Sequence, residues 1–341
     1  SEVRSVGRPA IGVIGMRPEP GDEIVSMAVV RPEDKLLSIT ENGYGKISLV
    51  SDYRKIHRGG KGVITIKTTD RNGKVVSVST IADDDQIILT TVQGNVIRNM
   101  LPFTGGDRRT ARRAALGVFR NIAQYYVDLC TLPSRDMQGI EAGHLELVRG
   151  DRLAELDHPG PIVIVSAHTG NAEMAIQALT YRGRPFVALV EAQQPPAWSR
   201  YLRRLRSSAG GEFHETTFAG IRACIETLHE GGLAGFMGDR DIQGNGLCTA
   251  LAGRSVRLPT GPWEIARKTD ARVFPIFSTR IKHDRFRVFV EQPFKVASTE
   301  DEDADIAAAV RRFAALLEEH LTREPSQWAF TEDFWKVHTC G

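Results

Sequence analysis

His168 and Glu173 stand five residues apart in the segment IVIVSAHTGNAEMA, which covers residues 162–175. The apolar run predicts a buried strand, and Gly170 predicts a turn before a helix. In α/β sheets, reactive side chains gather where strands end and helices begin. A neutral histidine there can take a proton from a hydroxyl, and a carboxylate beside it fixes the tautomer and stabilises the imidazolium. The spacing allows His168 to be a general base with Glu173 as its partner, and from the spacing alone a purely structural pair is an equal alternative.

The elements that must position these residues alternate between apolar strands and helical patterns. A first helix is predicted after Asp107, which can cap it. The predicted strands are 162–166, 186–190, 233–237, 272–278 and 286–290, and the predicted helices are 171–182, 197–208, 218–230, 261–269 and 303–322. This order predicts an α/β domain with a mixed, largely buried sheet flanked by helices.

Residues 1–100 have a different character and repeat with a period near 50. GRPAIGVIGM (7–16) aligns with HRGGKGVITI (57–66), and DKLLSITENGYG (34–45) aligns with DQIILTTVQGNV (85–96). Short alternating segments broken by NG, QG and DRNG predict strands and turns. A unit of this length is typical of a propeller blade, and two blades cannot close a ring. We therefore predict an all-β fragment of about two blades.

Composition narrows the class of protein. The chain has 44 Lys and Arg against 42 Asp and Glu, so no overall field indicates nucleic acid or membrane. The four cysteines are far apart and form no CxxC, which predicts neither a disulfide framework nor a zinc site and favours a reduced, cytoplasmic setting. No signal peptide is recognisable, and no apolar run reaches the roughly 18 residues of a membrane span. Any membrane contact is therefore predicted to be peripheral.

The first hundred residues resemble two successive blades of the C-terminal β-pinwheel of the DNA gyrase A family. TENGYGK (40–46), RGGKGVITI (58–66) and DRNGKVVSV (70–78) carry the resemblance. That family wraps DNA around a basic rim, which makes Lys46, Arg58 and Lys61 candidate phosphate contacts. The alternative is that these are solvated surface charges.

Residues 101–341 resemble the lipid A biosynthesis acyltransferase family, which includes lysophospholipid acyltransferase-like and phosphatidylinositol-mannoside acyltransferase relatives. Four blocks match in order: AHTGNAE (167–173), RYLRRLRSSAGG (200–211), the GDRD-containing stretch 228–277 and PSQWAFTEDFWKV (325–337). Ala172 departs from the Trp that the family usually carries. The gyrase-like segment occupies the place of the hydrophobic anchor found in many members.

The resemblance implies transfer of a fatty acyl group from acyl-CoA or acyl carrier protein to a hydroxyl of a glycolipid or lysophospholipid. His168 would be the general base with Glu173 as partner, and Asp239 and Arg240 would belong to the site, a structural ion pair being the alternative for them. The implied substrate contacts are Asn171, Arg203, Arg206 and Arg240. No metal and no tightly bound cofactor is implied. The alternative function is a DNA-binding gyrase fragment with an inactive acyltransferase part.

The predicted division is a partial pinwheel at 1–100, a joint at 101–106 and an acyltransferase domain at 107–341. The helix PAWSRYLRRLR (196–206) interleaves arginines with Trp198 and leucines. This pattern suits an anionic membrane surface or a lipid phosphate, and a solvated basic face is the alternative. The resemblance implies the cytoplasmic side of the inner membrane. Trp328 and Trp335 are predicted to be packing residues.

Overall fold

The chain forms two compact units, Ser1–Thr91 and Val92–Gly341. The computed structural model describes residues 16, 18–19, 22–41, 43–55, 62–82, 95–157, 159–180 and 183–340.

The first unit contains a small antiparallel sheet. Its strands are β1 (Lys35–Thr40), β2 (Gly45–Leu49) and β3 (Val75–Ile81), in the order β2-β1-β3. Gly43 has a φ of 81°, which lets the chain reverse tightly between β1 and β2. The predicted strand QIILTTV at 86–92 lies outside the described residues. The described part is thus all-β, as the alternating segments predict.

The second unit contains helices and strands in alternation. The helices are α1 (Asn95–Met100), α2 (Arg108–Thr131), α3 (Met137–His144), α4 (Ala172–Thr180), α5 (Pro196–Ser207), α6 (Phe218–His229), α7 (Gly261–Lys268), α8 (Glu302–Arg323) and α9 (Phe334–Val337). The strands are β4 (Leu145–Val148), β5 (Ile162–Ser166), β6 (Phe186–Val190), β7 (Glu212–Glu215), β8 (Leu233–Met237), β9 (Leu247–Leu251), β10 (Arg254–Leu258), β11 (Arg272–Lys282), β12 (Arg285–Val290) and β13 (Phe294–Lys295).

The main sheet of this unit is mixed, as predicted. Its strand order is β4-β12-β11-β5-β8-β6-β7, with β13 pairing on β11, while β9 and β10 form a separate hairpin. β5, β6, β7 and β8 run parallel, and β11 pairs antiparallel with β12. Alternate residues of β5 face opposite sides: Val163 and Val165 join the larger core, whereas Ile162 and Ile164 join a second core with α4. Burial on both faces explains the continuous apolar runs in the strands.

The segment before α2 belongs to the second unit and is not a joint. The prediction placed the joint at 101–106, but the unit begins at Val92. Val96, Met100 and Phe103 are buried in its larger core. Burial of these apolar side chains fixes α1 and the short helix after it.

A disulfide joins Cys248 of β9 to Cys340 near the end of the chain. The cysteine spacing predicts no disulfide, so this expectation is corrected. The two residues are 92 positions apart in sequence, but Val256 of the β9–β10 hairpin pairs with Thr339 and brings them together. Sequence spacing does not reveal such a contact because it arises only in the folded chain.

Among the helices that the structure describes, none has the length and apolar character needed to cross a bilayer.

Candidate active site

The parallel pairing of β5 and β8 brings His168 and Asp239 together. Its register pairs Ser166 with Met237, the last residues of the two strands. His168 and Asp239 each stand two residues beyond these ends. The backbone N–H of Gly238 donates to the carbonyl of Ser166 at 2.8 Å, which keeps the segments that follow β5 and β8 side by side. Both side chains therefore lie at the carboxyl edge of the sheet, where active sites of α/β proteins form.

Asp239 holds the histidine ring in one orientation. Its Oδ1 lies 2.8 Å from Nδ1 of His168, while Oδ2 accepts hydrogen bonds from the backbone N–H of His168 (3.0 Å) and the indole N–H of Trp328 (2.9 Å). Asp239 is fully buried, whereas 38% of the His168 side chain is exposed. Because an ionised carboxylate only accepts hydrogen bonds, Nδ1 carries the proton and Nε2 is the basic nitrogen.

Each member of this pair stabilises the charged form of the other. Burial lowers the pKa of His168, but the charge and hydrogen bond of Asp239 outweigh it, so the pKa of the ring lies above its ordinary value. Burial raises the pKa of Asp239, yet His168 and the indole of Trp328 keep the pKa of this carboxyl below its ordinary value. Asp239 is therefore ionised at neutral pH, and His168 is suited to accept a proton.

Glu173 makes its hydrogen bonds away from His168. Its Oε2 accepts from the Tyr125 hydroxyl at 2.5 Å, and its Oε1 accepts from Nε of Arg206 at 2.9 Å. His168 and Glu173, both in the described part of the chain, share no hydrogen bond or ion pair. The chain turns at Gly170, whose φ is 57°, and the first turn of α4 then directs Glu173 towards α2 and α5. The direct His168–Glu173 pair expected from the spacing is thus replaced by His168–Asp239.

Tyr125, Glu173 and Arg206 form a cluster, here called the Glu173 cluster. Nη2 of Arg206 also donates to the Tyr125 hydroxyl at 2.8 Å. Burial and then the Glu173 charge raise the pKa of Tyr125. Burial lowers the pKa of Arg206, but the effects of Glu173 and Tyr125 are larger and raise this pKa above its ordinary value. The hydroxyl therefore stays protonated and the guanidinium charged, and the cluster ties α2, α4 and α5 together.

A buried polar network fixes the turn between β5 and α4. Oδ1 of Asn171 accepts from a backbone N–H in the first turn of α4 (2.9 Å), and Nδ2 of Asn171 donates to Asp128 (2.8 Å). Nδ2 of Asn121 donates to the carbonyl of Gly170 at 3.0 Å. Asp128 is also paired with Arg280. Both ends of the Asn171 amide are engaged within the protein, so this predicted substrate contact is placed as a helix cap.

One cavity of about 580 Å³ brings the polar groups together. His168, Glu173, Arg206 and Arg240 all line it. Apolar side chains from β6, β7 and α4 also line it. A cavity that combines convergent polar groups with apolar walls is typical of a site for an amphipathic small molecule.

Arg240 lines this cavity between two glutamates. Nη1 donates to Glu191 and Nη2 to Glu332, both at 2.9 Å, and the guanidinium lies 5.6 Å from the centre of the Phe330 ring. The neighbouring Asp241 accepts two backbone N–H groups of the following turn, at 3.0 and 2.9 Å. The pairs of Arg240 are partly exposed and therefore weak, so an anionic ligand can compete for this cation.

The remaining predicted contacts lie elsewhere. Arg203 is half-buried on α5 and is not among the described residues that line the cavity. In the first unit, Nζ of Lys46 donates to the carbonyl of Thr65 at 3.0 Å, and Arg58 and Lys61 lie outside the described residues. Within the described ranges, no group of three or more His, Cys, Asp or Glu side chains is arranged to hold a metal ion.

Sequence reasoning misses two side chains of the site. Trp328 is predicted to be a packing residue, yet its indole N–H is a donor to Asp239. Its position in the block PSQWAFTEDFWKV is the signal that could have identified it. The second is Tyr125 of α2, whose hydroxyl donates to Glu173, while the neighbouring Tyr126 is exposed. A one-residue difference in helix phase is enough to exchange these two rings.

Comparison with known protein families finds two matches that do not overlap. Residues 101–337 match the family described as bacterial lipid A biosynthesis acyltransferase. Residues 1–31 and 34–82 match the family described as DNA gyrase C-terminal domain, beta-propeller. Both resemblances inferred from the residues are therefore confirmed.

Similar individual proteins include the DNA gyrase A proteins of Staphylococcus aureus strains MRSA252, NCTC 8325 / PS 47 and COL. Each is 43% identical to this chain over 100 residues, which is 29% of this chain and 11% of the relative. The chain thus spans only a small part of the length of these curated relatives.

Proposed function

Because the chain belongs to the bacterial lipid A biosynthesis acyltransferase family, we propose that it transfers a fatty acyl group to a hydroxyl of a glycolipid or lysophospholipid. The donor is acyl-CoA or acyl carrier protein. The observation that carries this proposal is the pair of an accessible His168 imidazole and a fully buried Asp239 carboxylate at the carboxyl edge of the sheet. DNA binding through residues 1–100 is the alternative function and is not part of this proposal.

In the proposed reaction, Nε2 of His168 takes the proton of the acceptor hydroxyl while its oxygen attacks the thioester carbonyl. A C–O bond forms, the C–S bond breaks, and the proton passes from the imidazolium to the departing thiolate. Asp239 stabilises the imidazolium and keeps Nε2 directed towards the acceptor. A positioned base of this kind contributes on the order of 10²–10⁴-fold in rate.

Arg240 supplies positive charge beside this base. A phosphate of the donor or acceptor can replace Glu191 or Glu332 as its partner, or the guanidinium can polarise the thioester carbonyl. Arg206 acts differently in the proposal, because its Nε and Nη2 already donate to Glu173 and Tyr125. It shapes the cavity wall and is a positioning residue.

A lipid acceptor requires contact with a membrane surface, and we place this contact on α5. Trp198 stacks on Tyr201 with ring centres 5.7 Å apart, and Tyr126 of α2 lies 6.3 Å from Trp198. Arg200 and Arg204 are exposed on the same helix. Exposed aromatic rings interleaved with arginines suit the interface of an anionic bilayer, here the cytoplasmic face of the inner membrane.

The proposed activity is tested by incubating the full chain with palmitoyl-CoA and a panel of lysophospholipid and glycolipid acceptors. We expect coenzyme A release that depends on the acceptor, with the acylated lipid identified by mass spectrometry. The matched control is the same acceptor with its hydroxyl methylated, which should give only background hydrolysis. Release that is equally fast without an acceptor would indicate a thioesterase and contradict the proposal.

Glu173→Gln is expected to lower stability by about 1–3 kcal/mol but to leave the acidic limb of the pH–rate profile in place. The substitution removes the charge opposite Arg206 and leaves buried donors poorly satisfied. It leaves Nδ1 of His168 bonded to Asp239, which sets the pKa of the ring. The measurement is kcat/KM against pH for both proteins, together with thermal unfolding. A shift of the acidic limb would contradict this expectation and indicate that Glu173 is the direct partner of His168.

A further inference from the structure

We propose that Phe186, seated against Gly235, is the stop that limits the length of the donor acyl chain. This inference deepens the proposed acyl transfer and rests on it. It concerns the end of the cavity lined by Ile176, Phe186, Ala188, Phe213 and Gly235, here called the apolar arm.

Strand register places the apolar arm on one face of the sheet. Phe186 and Ala188 are two positions apart on β6 and therefore point to the same side. Ala188 pairs in parallel with Gly235 of β8 on one side and with Phe213 of β7 on the other. These three residues thus lie side by side at one level of the sheet. Ile176 of α4 belongs to the same core and covers them.

The apolar arm leads down the sheet, away from the reacting groups. His168 stands beyond the carboxyl end of β5, whereas Phe186 is the first residue of β6. At about 3.3 Å per residue, Phe186 lies roughly 13 Å along the strand from Val190 at its carboxyl end. All five lining residues are apolar. A slot of this kind, opening towards the thioester site, suits an alkyl chain whose burial grows with each methylene.

The ring of Phe186 closes the arm and is held in place by two glycines. A Cβ added at Gly235 would come within 2.9 Å of the ring Cζ, and one added at Gly211 within 2.8 Å of its Cδ1. The ring also packs edge to face on Phe213, with centres 6.1 Å apart. Gly235 lies inside β8, where glycine weakens a strand, and Gly211 directly precedes β7; at both positions the absent side chain allows the ring to approach the backbone. The ring is therefore a fixed wall, and an acyl chain that reaches it can extend no further.

The inference predicts opposite shifts from two substitutions. Phe186→Ala removes the wall, so the relative kcat/KM for a donor two carbons longer than the preferred one should rise by roughly tenfold, since each buried methylene is worth about fourfold. Phe186→Leu should give a smaller shift in the same direction. Ala188→Val narrows the arm before its end, so the preference should move to shorter donors.

The experiment measures kcat/KM of the full chain for saturated donors from octanoyl-CoA to stearoyl-CoA with one acceptor. Because the readout is a ratio between donors, a smaller folded fraction does not change it. Val187→Ala is the matched control: Val187 is equally buried next to Phe186, but it faces the opposite core and does not line the cavity. It should leave the chain-length profile unchanged.

Two results would overturn the inference. The first is that Phe186→Leu and Ala188→Val proteins are active and keep the parental donor-length profile, which would show that the acyl chain does not end at Phe186. The second is that Val187→Ala shifts the profile as much as the Phe186 variants do. Calorimetric titration with the same acyl-CoA series, without acceptor, gives the length preference independently of turnover. The protein could bind acyl-CoA with a length preference that changes in the Phe186 variants and yet show no transferase activity. That result would refute the proposed function but support Phe186 as the limit on acyl length.

Discussion

Asp239→Asn is expected to lower acyl transfer by on the order of 10²–10⁴-fold and to move the acidic limb of the pH–rate profile to lower pH. The rate falls because an Asn side chain has one oxygen and one NH₂ group in place of two carboxylate oxygens. The NH₂ group must face either Nδ1 of His168 or the two N–H groups that bind Oδ2 of Asp239. If the backbone N–H of His168 and the indole of Trp328 keep the amide oxygen, the NH₂ group faces Nδ1. Nδ1 then becomes the acceptor, Nε2 carries the proton, and the base is lost.

The shift in pH has a defined sign. The base works only when neutral, so activity is lost as pH falls through the pKa of His168. Burial lowers this pKa, and Asp239 outweighs the burial by its charge and hydrogen bond. Without the carboxylate, burial and the positive charge of Arg240 remain and lower the pKa, and only the smaller effect of the Glu191 charge still raises it. The acidic limb must therefore move to lower pH.

The measurement is kcat/KM for acyl transfer between about pH 4.5 and 8.5, a window of roughly two units on each side of an ordinary histidine pKa. His168→Ala serves as the reference, because a protein without the imidazole should lose the acidic limb altogether. If the two residues act as one unit, the double variant should be no slower than the slower single variant. An Asp239→Asn protein with the parental rate and profile would remove Asp239 from the mechanism.

Glu173 is the neighbour that sequence spacing selects for His168, because spacing identifies residues that are close along the chain and both residues stand in one block. The carboxylate that reaches the ring is 71 residues away, at the corresponding position of the adjacent strand. Both apolar strands, 162–166 and 233–237, are correctly predicted. Their adjacency is a property of the sheet order, which local patterns do not contain.

Elsewhere in the chain, the strength of the local pattern decides what can be predicted. The helices and strands with strong apolar patterns, such as α6 and β8, match within one or two residues. The β9–β10 hairpin and α3 are missed because they are short and their apolar residues follow no clear period. Ala172, the departure from the family pattern, is buried at the start of α4 and lines the cavity. Because the side chain of Ala172 is small, the neighbouring side chains form most of that wall of the cavity.

Arg280→Met is expected to destabilise the second unit by about 3–5 kcal/mol, because it breaks a buried ion pair and leaves Asp128 with only the longer contact to Arg135, at 3.8 Å, as its counter-charge. The side chains of Arg280 and Asp128 are only 5% and 7% exposed. The guanidinium also donates to Asn121 at 3.3 Å and lies 4.5 Å from the centre of the Phe286 ring. Met retains much of the apolar volume, so the lost stability reports the charge and its hydrogen bonds.

Arg287→Met is the matched control. Arg287 makes two hydrogen bonds to Glu146, at 2.7 and 3.2 Å, but these side chains are 40% and 45% exposed. An exposed pair contributes about 0–1 kcal/mol, so this variant should remain close to the parent. Urea unfolding of the full chain can be followed by tryptophan fluorescence, because all four tryptophans lie after residue 197 and report only on the second unit.

The buried Arg280–Asp128 pair also connects to the site, so Arg280→Met is expected to affect activity as well as stability. Asp128 accepts from Asn171, and Asn121 donates to the carbonyl of Gly170, so both ends of the network hold the turn that follows His168. Arg280→Met should therefore lower kcat even where urea unfolding shows the protein to be folded, while Arg287→Met should not. Equal losses of stability and activity in the two variants would mean that burial adds nothing to this pair, and the network would then not be what fixes the turn.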